Sequence, residues 1–154
     1  MGYLLVVILC LLIIPMALIK TPKDLKDEKK RQSNRYYSIR DFIKSLYRDL
    51  IKEYEEDKSR LSSPWRGFVL LYSKDDINSE LTSLKNKAEA FLSWNKNKDD
   101  EYAEVKWLSD YLNTFLILVS EDSDSMQYEM IDYSPEKTME IVTTIYSHFF
   151  EDKN

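Results

Sequence analysis

One cysteine, one histidine and two glycines in 154 residues remove most families of site chemistry at the outset. The cysteine is Cys10, inside an oily N-terminal run. No disulfide framework, zinc cluster or thiol nucleophile is therefore expected in the rest of the chain. The glycines are Gly2 and Gly67. A phosphate-cradling loop needs several glycines for its tight turns and close backbone approach, so none is expected. The histidine is His148, and no motif around it supports a Ser-His-Asp triad. Basic charge is also short: 22 Lys and Arg stand against 27 Asp and Glu, for a net charge of −5. Nucleic-acid binding wants a basic face and is not expected.

What the chain has instead is a charge-free stretch. Residues 3–19, YLLVVILCLLIIPMALI, are 17 consecutive uncharged positions. As a helix they span about 26 Å, just short of the ~30 Å hydrocarbon core. They show no polar face, which a helix buried in a soluble core would normally have. A signal peptide needs a basic n-region and a small-residue cleavage site, and the run offers neither. Cys10 follows Leu9 rather than the small residue of a lipoprotein site, and Val6 stands where myristoylation wants Ser or Thr. Residues 1–20 are expected to be an uncleaved transmembrane anchor, with the lipid bilayer as partner through residues 3–19.

Lys20, Lys23, Lys26, Lys29, Lys30, Arg31, Arg35 and Arg40 follow, against Asp24, Asp27 and Glu28, a net of +5 over residues 20–40. The positive-inside rule then places the N-terminus outside and the body in the cytoplasm. Residues 21–37 form a basic juxtamembrane neck. Its Lys20, Lys23, Lys26, Lys29, Lys30 and Arg31 are candidate contacts to anionic headgroups, at about 1 kcal/mol per basic residue near the surface. Taking +5 from −5 leaves −10 on residues 41–154. Residues 38–154 are expected to be one acidic domain, long enough to bury a real core.

Within the body, Thr21-Pro22-Lys23-Asp24 reads as a helix start, running to about Gln32 and interrupted at Ser33-Asn34. A second start at Ser38 opens an amphipathic helix from Ile39 to about Asp57. Its apolar face holds Ile39, Phe42, Ile43, Leu46, Tyr47, Leu50, Ile51 and Tyr54. Arg40, Lys44, Arg48 and Lys52 recur on another side, as a solvated face or as a stripe for lipid or a partner. The pattern breaks over 61–67. The apolar run at 68–72 fits a buried strand or a helical turn equally. Ser73 to Asp76 offers caps for a helix whose seam is Ile77, Leu81, Leu84, Ala88, Phe91 and Leu92. After a polar loop at 95–100, Tyr102, Val105, Leu108, Leu112, Phe115, Leu116 and Val119 keep helical spacing. The end of this stretch, 115–119, is apolar all round and fits a strand as an alternative. Met126, Tyr128 and Met130 alternate. Ser134-Pro135-Glu136 starts a last helix with apolar Met139, Val142, Ile145, Tyr146 and Phe149.

The fold expected is mainly α: a single transmembrane helix followed by a helical-bundle-like domain. The alternative is α+β, with a small sheet from 68–72, 114–119 and 126–131. Asp122-Ser123-Asp124-Ser125 resembles the opening of a calcium loop, but Met126 takes the next ligand position and no glycine follows. Asp75-Asp76 and Asp99-Asp100-Glu101 read as helix N-terminal charge. No catalytic residue, metal ligand or cofactor site is nominated. Of 3 Trp, 11 Tyr and 6 Phe, the residues Trp94, Trp107, Tyr36 and Tyr37 fall off the apolar seams. They are the candidate contacts to an unidentified protein partner. The function expected is a membrane-tethered protein-interaction module, an adaptor or accessory subunit of a membrane complex, and not an enzyme. The alternatives are a small membrane-anchored inhibitor of immunity type, or an enzyme with an unrecognised site.

Overall fold

A computed structural model describes residues 21–52, 73–95, 97–122 and 125–151. The anchor at 1–20 with Lys20, the helix expected beyond residue 52 and the strand alternative at 68–72 lie outside the described residues. Among the described residues no helix is long and apolar enough to cross a membrane. The chain divides into two compact units, residues 1–34 and 35–154.

In the first unit, helix α1 (Pro22–Tyr47) begins. Thr21 and Asp24 cap it reciprocally: the Asp24 amide donates to Thr21 Oγ1 at 3.2 Å, and the Thr21 amide to Asp24 Oδ2 at 3.0 Å. Pro22 occupies the first turn, where its missing N–H is not needed. Lys23, Lys26, Lys29, Lys30 and Arg31 are all exposed there.

The break expected at Ser33-Asn34 does not occur, and Ser38 starts no second helix; α1 runs through both sites. Serine and asparagine inside a helix cost only up to about 0.7 kcal/mol each. Packing outweighs that here. Tyr36, Ile39, Ile43 and Leu46 are buried at helical spacing, so the second unit's core claims the helix before Ser38. α1 then passes into a π-helical turn, Arg48–Lys52, which buries Leu50 and packs on the last helix.

Helix α2 (Lys74–Trp94) starts on a capping box in which Ser73 accepts from the Asp76 amide and Asp76 accepts from the Ser73 amide. These bonds from Ser73 hold the Asp76 carboxyl below the usual range. Its expected seam is buried at Ile77, Leu81, Leu84, Ala88 and Phe91, each worth about 1.5–3 kcal/mol of transfer for the larger side chains. Helix α3 (Asp100–Asn113) is capped by Asp99, which accepts from the Tyr102 amide at 2.9 Å. Strands β1 (Leu116–Asp122) and β2 (Ser125–Met130) form an antiparallel hairpin with a bulge at Val119. Helix α4 (Pro135–Phe150) is capped by Ser134 with Pro135 at its first position.

The described body is therefore mainly helical with one small sheet. A purely helical bundle is corrected at two places, 114–119 and 126–131, where the α+β alternative lies close to the observed strands. Leu116, Tyr128 and Met130 turn one face of the hairpin into the core that α1 to α4 share.

Candidate functional site

The four aromatic residues picked out by their position off the seams part company in the structure. Trp94, at the end of α2, is 64% exposed, and the Arg35 guanidinium stands 5.3 Å from its ring centroid. Tyr37 is also exposed. Tyr36 is buried: its hydroxyl donates to the Glu104 carboxylate and accepts from Arg40 at 3.4 Å. Burial, reinforced by Glu104, pushes the Tyr36 phenol up to about 12 against the pull of Arg40. Trp107 is partly buried and stacks on His148 at 3.6 Å and on Tyr111 at 5.0 Å. Trp94 and Tyr37 thus present surface to solvent, while Tyr36 and Trp107 join elements of the fold.

The basic row on α1 has an internal use. Arg40 Nη2 donates to the Phe149 carbonyl at 3.3 Å, and its guanidinium lies 4.7 Å from the Phe150 ring. Lys44 Nζ sits 5.0 Å from the same ring. Both cations face the C-terminal end of α4, where the helix macrodipole favours positive charge.

Lys85, a residue with no motif around it in the sequence, is buried on α2. Its side chain is 1% exposed, yet every donor finds an acceptor: Glu89 Oε1 at 2.5 Å, Ser109 Oγ at 2.7 Å and the Ser109 carbonyl at 3.2 Å. A lysine amine beside a serine hydroxyl has the composition of a nucleophile and its base. The hydrogen bonding argues otherwise. Ser109 donates its proton to Glu89 Oε1 at 2.6 Å, not to the amine, and Lys85 is ion-paired to that same oxygen. Burial works against the Glu89 charge, but the bonds from Lys85 and Ser109 outweigh it and hold the carboxyl below the usual glutamate range. The cluster clamps α2 to α3. Its only sequence signal is that Asn78 and Lys85, seven residues apart, each follow a residue of the apolar seam, Ile77 and Leu84.

A second polar array on α2 faces the hairpin. The Met130 amide donates to Asn78 Oδ1 at 3.1 Å. Thr82 Oγ1 accepts from the Tyr128 amide at 3.1 Å and donates to the Tyr128 carbonyl at 3.0 Å. Asn86 Nδ2 donates to the Met126 carbonyl at 2.8 Å. Four residues of helix rise about 6 Å and two residues of strand about 6.8 Å, so one side of α2 nearly keeps step with alternate residues of β2. A groove of about 410 Å³ runs along this junction, lined by groups such as Ser79, Ser83, Gln127 and Glu129.

The other edge of the hairpin differs in kind. Ile117, Leu118 and Val119 on β1 are 49%, 49% and 48% exposed. Among the described residues no strand pairs with β1 other than β2. Also among the described residues, no group of three or more His, Cys, Asp or Glu side chains is placed to hold a metal ion. Asp99 is the N-cap of α3 and Asp76 the third-position partner of Ser73 in the α2 capping box, more specific parts than the helix N-terminal charge read from the sequence.

Comparison of the chain with protein-family models, with curated proteins and with solved structures found no match.

Proposed function

We propose that the protein is a membrane-tethered interaction module, an adaptor or accessory subunit of a membrane complex, without catalytic activity of its own. Residues 3–19 supply the tether, and the lysines and Arg31 of the neck rest against anionic headgroups. The acidic body stands on the cytoplasmic side. The observation that carries the reading is Trp94. A tryptophan this exposed, with an arginine guanidinium 5.3 Å from its ring centroid, is an anchor of the kind that dominates interface energetics. The Arg35 contact fixes the indole before binding, which lowers the ordering cost of association.

The test uses the full chain in its native membranes, with a photo-crosslinking benzophenone residue at position 94 or, as a control, at Glu80, also exposed on α2. A discrete heteromeric adduct from position 94, absent from position 80, is the expected result. No adduct at 94, or the same adducts from both positions, overturns the proposal.

A further inference from the structure

Much of the body's positive charge is already matched. Lys85, Lys106 and Lys137 each pair with a carboxylate, Arg48 pairs with Asp49, and Arg40 donates to a carbonyl of α4. Arg35 and Lys87 differ. Both are exposed, and among the described residues neither pairs with a carboxylate. Each stands over an aromatic ring instead: Arg35 5.3 Å from the Trp94 centroid, and Lys87 5.7 Å from that of Phe42. A ring attracts a cation through its quadrupole and does not neutralise it, so the N–H groups stay available to an anion.

The two cation–ring pairs are in register across the seam between α1 and α2. Arg35 and Phe42 are seven residues apart on α1, and Lys87 and Trp94 are seven apart on α2, in the reverse order. The helices therefore run antiparallel here, and one pair follows the other along a single edge at an interval of about 10.5 Å. α1 gives the cation to the first pair and the ring to the second. Ser38 and Ala90, both exposed and small, fall between the pairs in this register. Seven residues before Lys87, the exposed Glu80 ends the cationic strip on α2.

We propose that this edge receives an acidic helix of a partner protein. Two carboxylates seven residues apart on that helix meet Arg35 and Lys87, and an apolar side chain between them covers the Trp94 ring. Helix positions seven apart share a face about 10.5 Å apart, the interval at which the two pairs recur. A carboxylate accepts two N–H groups of a guanidinium at once, which fixes the helix at its Arg35 end. This partner chemistry rests on Trp94 as an anchor and adds what the anchor meets. Charge selects a protein helix over a lipid surface. The body carries −10 over residues 41–154, so an anionic bilayer repels it as a whole, whereas a helix laid along the edge is met first by the two cations.

The test uses the full chain in phosphatidylcholine nanodiscs and a fluorescein-labelled, alanine-based peptide of about 18 residues, long enough to hold a helix. The peptide has two glutamates seven residues apart, with leucines at the third and fourth positions after the first. A control peptide moves the second glutamate two positions on, about 200° round the helix, at the same net charge. Anisotropy titration is expected to show the first peptide binding about tenfold more tightly than the control. Arg35→Gln with Lys87→Gln is expected to abolish that preference while circular dichroism stays unchanged. Lys87→Gln alone, which leaves Trp94 and Arg35 in place, is expected to weaken binding about threefold. Equal affinity for the two peptides, no binding of either, or affinity indifferent to both cations overturns the proposal. So does loss of peptide binding in nanodiscs containing phosphatidylserine, which would give the edge to lipid headgroups. The photo-adduct from position 94 separates the two levels of the account. If it persists while the peptides are not discriminated, Trp94 still anchors a partner, but not an acidic helix; if it is absent, both fall.

Discussion

The imidazole of His148 lies against the indole of Trp107, with ring centroids 3.6 Å apart and planes 15° from parallel. The chain's one histidine thereby joins the last turns of α4 to the middle of α3. Trp107→Ala is expected to lower the unfolding free energy by about 2–3 kcal/mol, less than for a fully buried tryptophan. His148→Ala is expected to lower it by about 1 kcal/mol, the worth of an aromatic pair. Urea titration of the double variant, compared with the two single ones, checks the coupling. Strict additivity would mean the stack contributes nothing.

Lys85 and Glu89 are expected to respond unequally to replacement. Lys85→Met fills the same space and removes a buried charge, so its stability should stay within about 1 kcal/mol of the parent. Glu89→Ala leaves the ammonium buried without its counter-charge, held by Ser109 and 5.9 Å from the Tyr128 ring centroid. It should cost about 2–3 kcal/mol, below the figure for a fully buried pair because the Glu89 side chain is 43% exposed. Equal losses from both variants would show that side-chain volume rather than charge governs the site.

Glu89 also sets an acid limit. Its folded-state carboxyl lies below the usual range. Its contribution is therefore fully present above about pH 4.3, the unfolded value, and disappears as pH falls through the folded value. Glu89→Gln is expected to flatten the stability profile in that acid window and to leave its alkaline side alone. A profile with the parent's slope would contradict the assignment.

Tyr36 sets the alkaline counterpart. Its phenol is neutral when protonated, and its folded value is pushed up to about 12. Stability from this group is full below about pH 10 and declines as pH rises from there through the folded value. Tyr36→Phe should remove one late-ionising phenol from the ultraviolet titration and make the alkaline decline shallower. An unchanged late phase would place that phenol elsewhere.

Thr82 holds both the N–H and the C=O of Tyr128. Thr82→Val keeps the shape and removes the hydroxyl, leaving both groups short of a partner at a cost of about 1–3 kcal/mol. Amide hydrogen exchange at Tyr128 should accelerate more than at Val105 on α3. Uniform acceleration would indicate global destabilisation instead of a local role.

Caps and seams were legible in the residues themselves, because both are local. Thr21, Ser73, Asp99 and Ser134 each stand one position before a helix, and Ile77, Leu81, Leu84, Ala88 and Phe91 repeat with the helical period. At Ser33-Asn34 local propensity favours a break, but burial of Tyr36 and Ile39 decides for a continuous helix. The strand at Leu116–Asp122 was half visible, since its first residues are apolar on every side and so fit a helix as well. The ladder from Asn78 and Thr82 to β2 had no sequence signature, because its partners lie 52 and 46 residues away. Lys85 was hidden for the same reason: Ser109, which makes its burial tolerable, lies 24 residues off on another helix. Of the aromatic contacts expected, Trp94 and Tyr37 keep surface available, whereas Tyr36 and Trp107, off the seams in sequence, are drawn against the core; Tyr36 joins it because the helix continues through Ser38 and sets it one turn before Ile39.

The most direct measurement is fractionation of cells expressing the full chain, with the membranes washed in alkaline carbonate and the intact mass of the recovered polypeptide determined. Retention in the washed membranes, with residues 1–20 still attached, is the result expected of a tethered module. Full-length chain in the aqueous fraction, or a mature product lacking those residues, would contradict it.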